Sequence, residues 1–153
     1  MRIWLKRIGG IVFLVTGALQ FTNPRHFNPP VQPGRDLLAS NAPPAEVTAM
    51  LKNACYDCHS DETVWPWYSF IAPVSWSVVG HVNDARNAMN FSQWPHDDPS
   101  HARKRWRRIG DAVESGEMPL RSYTWIHPEA RLTPEQRKRL VQWAQDISVR
   151  LKE

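Results

Sequence analysis

Cys55, Cys58 and His59 are the residues whose types and spacing carry the sharpest chemistry in this chain. They stand in the run Cys55-Tyr56-Asp57-Cys58-His59, which uses both cysteines of the sequence. A Cys-x-x-Cys-His run suits the attachment of a c-type haem. Two thiols can reach the two vinyl groups on one edge of a porphyrin, while the adjacent imidazole reaches the iron at its centre. With two residues between the cysteines, one helical turn can aim all three side chains.

Parts of the same run serve other chemistries. A thiol–disulfide oxidoreductase would place Cys-x-x-Cys beside a βαβ pattern, and none is visible here. A structural zinc site needs about four ligands, usually with a second Cys or His pair at short spacing. The other histidines, at 26, 81, 96, 101 and 127, supply no such pair; His96 and His101 lie close together but have no downstream cysteines. A disulfide across two residues would be strained and would leave His59 without a role.

Met118 is the second informative residue. It lies in Gly116-Glu117-Met118-Pro119-Leu120, a loop-forming stretch after a helical pattern. Iron in a c-type site commonly takes histidine on one face and methionine on the other, and the thioether raises the potential. Met118 is therefore the expected sixth ligand. His127 is the runner-up, followed by His81, Met89 and an open position. Met118 as plain core filler is the competing reading.

These residues need elements to position them. Pro43-Pro44 opens a helix with Glu46 in its first turn, and Val47, Met50, Leu51 and Ala54 mark its apolar face. That helix runs into Cys55–His59. Residues 60–73 read as a loop, in which Trp65, Trp67 and Tyr68 could cover a porphyrin edge or simply pack. A second helix follows Pro73, with Val74, Val78, Val82, Ala85 and Met89 as its stripe and His81 off it. A third starts at Pro99 with Asp97 or Asp98 as cap; Ala102, Trp106, Ile109 and Val113 face inward, and Gly116 ends it. The last starts at Thr133-Pro134-Glu135-Gln136, a capping box, and buries Leu140, Ala144, Ile147 and Leu151. No stretch reads as a strand, so the fold class is all-α: a small helical domain around a covalent haem, preceded by an N-terminal transmembrane helix.

That preceding segment is residues 1–21. Arg2, Lys6 and Arg7 flank an uncharged apolar run, and residues 3–21 would span roughly 30 Å as a helix. An uncleaved anchor is preferred to a signal peptide, because Ala18 is followed by bulky Leu19 and Phe21 rather than a clear cleavage motif. Either reading sends the remainder across the membrane, since the positive flank stays cytoplasmic. Residues 22–44 form a proline-rich linker, and residues 45–153 form the haem-binding domain. The 153-residue chain has a formal charge of +4, but the N-terminal segment holds three bases and no acid, leaving 16 bases against 15 acids elsewhere. Nucleic acid is therefore not an expected partner, despite the run Arg103, Lys104, Arg105, Arg107 and Arg108. That face is expected to be solvated, or to dock on an acidic partner or anionic lipid.

The arrangement resembles a small class I-like cytochrome c and, more narrowly, the bacterial haem-binding domain family of membrane-anchored, cytochrome c-like proteins. The matching stretches are CYDCHSDETVWPWYSFIAPVSW at 55–76, HVNDARNAMNFSQW at 81–94 and GEMPLRSYTWIHPEARLT at 116–133. Gln20-Phe21 before the proline-rich linker also fits. Ala85 departs from the pattern, which expects glycine before Arg86. The resemblance implies one covalent haem c on Cys55 and Cys58, with His59 as axial ligand. The expected role is one-electron transfer with redox partner proteins at the periplasmic face of the inner membrane, with one membrane pass and no small-molecule substrate. A haem-based sensor or ligand-binding module is the alternative, then a thiol–disulfide oxidoreductase.

Overall fold

The computed structural model describes residues 2–95 and 97–151, apart from the side chain of Arg2. It is 70% helical, with no strand among the described residues. The all-α expectation holds. His96 lies outside the described residues.

Helix α1, Arg2–Leu19, is followed by a 3-10 turn, Gln20–Thr22. Its apolar side chains are exposed, and Ile3–Thr22 is long and apolar enough to cross a membrane. Residues 22–44 are more than a spacer. Within them lies α2, Leu37–Asn41, which the prolines around it hid from sequence reasoning. Asp36 caps it by accepting from the backbone N–H of Leu38, and Leu37 is fully buried. The same carboxylate accepts the hydroxyl of Tyr56 at 3.0 Å to each oxygen. A side chain from inside the Cys-x-x-Cys run thus completes the cap.

Helix α3, Ala45–Leu51, begins after Pro44 and buries Val47, Met50 and Leu51 as its spacing predicts. It continues through a π-helical turn, Lys52–Tyr56, into α4, Asp57–His59. Single π turns inside helices occur frequently at functional sites, and this one carries Cys55. Helix α5, Val74–Ala88, differs from expectation in orientation. Its buried residues are Ser75, Val79 and Val82, whereas Val74 is exposed and Val78 half-buried. The valine stripe faces the site cavity rather than the packed core.

The core proper is built by α6, Pro99–Glu114, lying along α8, Pro134–Arg150. Asp98 caps α6 through the N–H of His101, and Ala102, Trp106, Ile109 and Val113 are buried. Gly116 takes φ 78° just past the helix end, a conformation that favours glycine. Thr133 and Gln136 form the expected capping box of α8. Trp94, Trp106 and Trp143 pack in series, with ring centroids 4.9 and 4.7 Å apart. Helix α7, Arg121–Ile126, was not foreseen in the interval after Met118.

Arg86 ties the linker, the loop after His59 and α5 together. Its guanidinium donates to the carbonyls of Ser60 and Phe27 at 2.8 and 2.7 Å and to the side-chain oxygens of Asn28 and Thr63 at 2.9 and 2.8 Å. The carboxylate of Asp61, buried to 1% exposure, lies 3.9 Å away and also accepts from Asn90. Removing the cation would strand a buried anion and several acceptors. Arg86→Ala should therefore cost about 3–5 kcal/mol in a urea unfolding titration, against well under 1 kcal/mol for the exposed Arg139, paired with Glu46 at 3.5 Å.

Candidate functional site

The π-helical turn and α4 place Cys55, Cys58 and His59 around a set of adjoining cavities. A cavity of about 460 Å³ is bordered by Cys55, His59, Met89, Phe91, Arg108 and Met118. A second, of about 250 Å³, is bordered by Cys58, His59, His81, Ala85, Met118 and Tyr123. A third, of about 190 Å³, is bordered by Cys58, Tyr68, Val78, His81, Tyr123 and His127. The first two share Ala54, His59, Ala88 and Met118. The second and third share Cys58, His81, Leu120 and Tyr123. The largest has the size usual for a cofactor site, about 300–1,000 Å³.

His59 is oriented through one ring nitrogen. Its Nδ1 lies 3.0 Å from the carbonyl oxygen of Met89. A carbonyl only accepts, so Nδ1 carries the proton and the lone pair rests on Nε2. The ring also stacks on Phe91, 5.4 Å between centroids at 21°. Burial holds its pKa below the ordinary histidine value, against the opposing effect of the Met89 and Ala85 backbone bonds. A neutral, oriented imidazole is what a metal ligand requires.

The two thiols are free and half-buried. Burial, then the neighbouring Cys58, pushes Cys55 up to about 12. Burial, then Asp57, pushes Cys58 up to about 11. A reactive Cys-x-x-Cys pair works through a lowered pKa, so these surroundings oppose thiol–disulfide chemistry. Among the described residues, no three His, Cys, Asp or Glu side chains come together to hold a metal ion by themselves. Among those residues the zinc alternative therefore lacks a ligand set. Two thiols and an imidazole on an alanine-lined cleft fit a flat, apolar group with a metal at its centre.

Met118 borders both cavities that His59 borders. Its backbone is fixed from two sides. The N–H donates to the carbonyl of Ala112 at 3.0 Å, and Arg137 of α8 donates from Nη1 to the carbonyls of Met118 (3.3 Å) and Val113. The runner-up, His127, is placed differently. It borders the third cavity, away from His59. Its Nε2 lies 2.7 Å from the Tyr68 hydroxyl and its Nδ1 3.0 Å from the Glu129 carboxylate, so both ring nitrogens are engaged. His81 borders the second and third cavities but is exposed. Met89 is buried beside His59, with its carbonyl on the ring.

Sequence reasoning missed several wall residues. Tyr123 donates to Asp57 at 2.7 Å and stacks on His127 at 4.3 Å between centroids. Its pKa is raised by burial, then by the Asp57 bond. Asp57 also accepts from the N–H of Val64 at 3.1 Å. The two residues between the cysteines are therefore anchors, Tyr56 toward the core and Asp57 toward the loop and α7. Of the aromatic loop, Tyr68 borders a cavity, whereas Trp65 bonds Asn28 and Trp67 is exposed. The basic face of α6 is not uniformly solvated: Arg105 donates to Gln93 and lies over Trp94, and Arg108 borders the largest cavity.

A family described as a haem-binding domain matches residues 14–146. No curated protein and no solved structure matches the chain.

Proposed function

Since this chain belongs to the haem-binding domain family, we propose that it is a membrane-anchored, single-haem c-type cytochrome that carries one electron at a time. The observation that carries this reading is the meeting of Cys55, Cys58, His59 and Met118 on adjoining cavities. Cys55 and Cys58 would hold the haem by thioether bonds, each thiol S–H adding across one vinyl group, which neither releases a group nor needs an oxidant. His59, through Nε2, and Met118, through its thioether, would hold the iron. The haem supplies a reversible one-electron couple when bound.

The chain's own residues set the terms of that couple. The Met89 carbonyl orients His59. Ala112 and Arg137 hold the Met118 backbone. Val74, Val78, Val82 and the alanines give the cleft an apolar lining. Lys6 and Arg7 precede the apolar run of α1, which keeps the N-terminus cytoplasmic and puts the domain on the periplasmic face. Redox proteins there are the partners.

A carrier differs from a sensor in having no open iron position. A spectroelectrochemical titration of the full chain should follow a single one-electron curve, and carbon monoxide added to the reduced protein should leave its spectrum unchanged. A stable carbon monoxide complex of the unaltered protein would move the reading to ligand binding.

A further inference from the structure

The foot of α1 is fastened to the domain. The side-chain amide of Gln20 accepts from the N–H of Ala72 at 3.1 Å and donates to its carbonyl at 3.2 Å. The Trp76 indole N–H donates to the carbonyl of Thr22 at 3.1 Å, and the Ser75 hydroxyl donates to Asn23 at 2.5 Å. Three residues after Asn23, His26 donates to the Ser69 carbonyl at 2.8 Å and stacks on Phe70 at 4.0 Å between centroids. Ala72 and Ser75 are buried, so the Gln20 and Asn23 bonds lie at a closed contact.

That fastening fixes where the attached surface lies. The apolar stretch Ile3–Thr22 has 20 residues and as a helix spans roughly 30 Å, the thickness of the hydrocarbon layer. The Thr22 carbonyl therefore marks the level at which lipid tails give way to headgroups. Trp76 is one hydrogen bond from it. Trp67 (76% exposed), Phe70 (52%), Ile71 (45%) and Trp76 (42%) all sit within ten residues. Trp67 and Phe70 are three apart in a 3-10 turn, which puts them on one side. So many exposed large apolar residues are unusual on a surface that meets only water. Indoles prefer the membrane–water boundary, where the ring is shielded and the N–H is satisfied.

We propose that Trp67, Phe70, Ile71 and Trp76 form a second membrane contact, seated among the headgroups of the bilayer that α1 crosses. The haem domain is then held in one attitude on the membrane instead of swinging on a tether. The inference rests on the reading of α1 as a membrane anchor.

The test uses the full chain, labelled with 5-fluorotryptophan and reconstituted in phosphatidylcholine vesicles with the haem oxidised. Single Trp→Phe variants assign the fluorine signals. Intensities are compared between vesicles containing lipid with a nitroxide at the top of the acyl chain and unlabelled vesicles, so that broadening by the iron cancels. Trp4, Trp67 and Trp76 should lose most of their intensity, while Trp106 and Trp143 keep theirs. Loss at Trp4 with Trp67 and Trp76 behaving like Trp106 would overturn the proposal and leave the anchor standing, with a protein partner or a second copy as the occupant. No loss at Trp4 would overturn the anchor itself, and the proposal with it.

Discussion

Replacing Met118 with alanine should abolish the weak sulfur-to-iron(III) charge-transfer band near the red edge of the visible spectrum. It should also lower the potential by roughly 100 mV or more, a fraction of the about 0.8 V over which axial ligands set haem potentials, and open the reduced iron to carbon monoxide. The expectation rests on placement. Met118 borders the cavities that His59 borders, and its loop is pinned by Ala112 and Arg137. A soft thioether favours the reduced ion, so its loss favours the oxidised one. His127→Ala should leave the band in place, because that ring is engaged by Tyr68 and Glu129. If the Met118 variant kept the parent spectrum while His127→Ala changed it, the sixth ligand would be His127 and the potential would lie lower.

Replacing both Cys55 and Cys58 with alanine should have the largest effect on the cofactor. All covalent attachment should disappear, and any haem retained by His59 should leave on acid extraction. Cys55→Ala alone should leave attachment through Cys58, and the reverse. The half-buried thiols make a second outcome informative. Burial holds both thiols well above the ordinary cysteine value, so the haem-free chain should react slowly with a thiol-alkylating reagent at neutral pH. Fast alkylation, together with disulfide reductase activity, would favour thiol redox chemistry.

The elements that sequence made legible are those long enough to show a period. Ala102, Trp106, Ile109 and Val113 on α6 announce their own packing, and Thr133 with Gln136 announces the start of α8. The motif itself was legible because both cysteines and His59 fall in five consecutive residues. What stayed hidden depends on distant partners. Helices α2 and α7 have five and six residues, too few for periodicity, and α2 is completed by the Tyr56 hydroxyl on its capping Asp36. The fastening of the foot of α1 runs through Gln20 to Ala72, 52 residues away. On α5 the valine stripe was visible, but periodicity reports an apolar surrounding without saying what supplies it. The stripe borders the cavity, and Val79 and Ser75 pack instead. Among the candidate ligands, the locking of His127 by Tyr68, 59 residues away, could not be read from order alone.

The most direct measurement of the central claim is the intact mass of the full chain under denaturing, acidic conditions, taken with its absorbance spectrum. A covalent haem on Cys55 and Cys58 predicts that the unfolded polypeptide carries the mass of one haem and absorbs in the Soret region. A polypeptide at its bare sequence mass, with haem eluting separately, would contradict it.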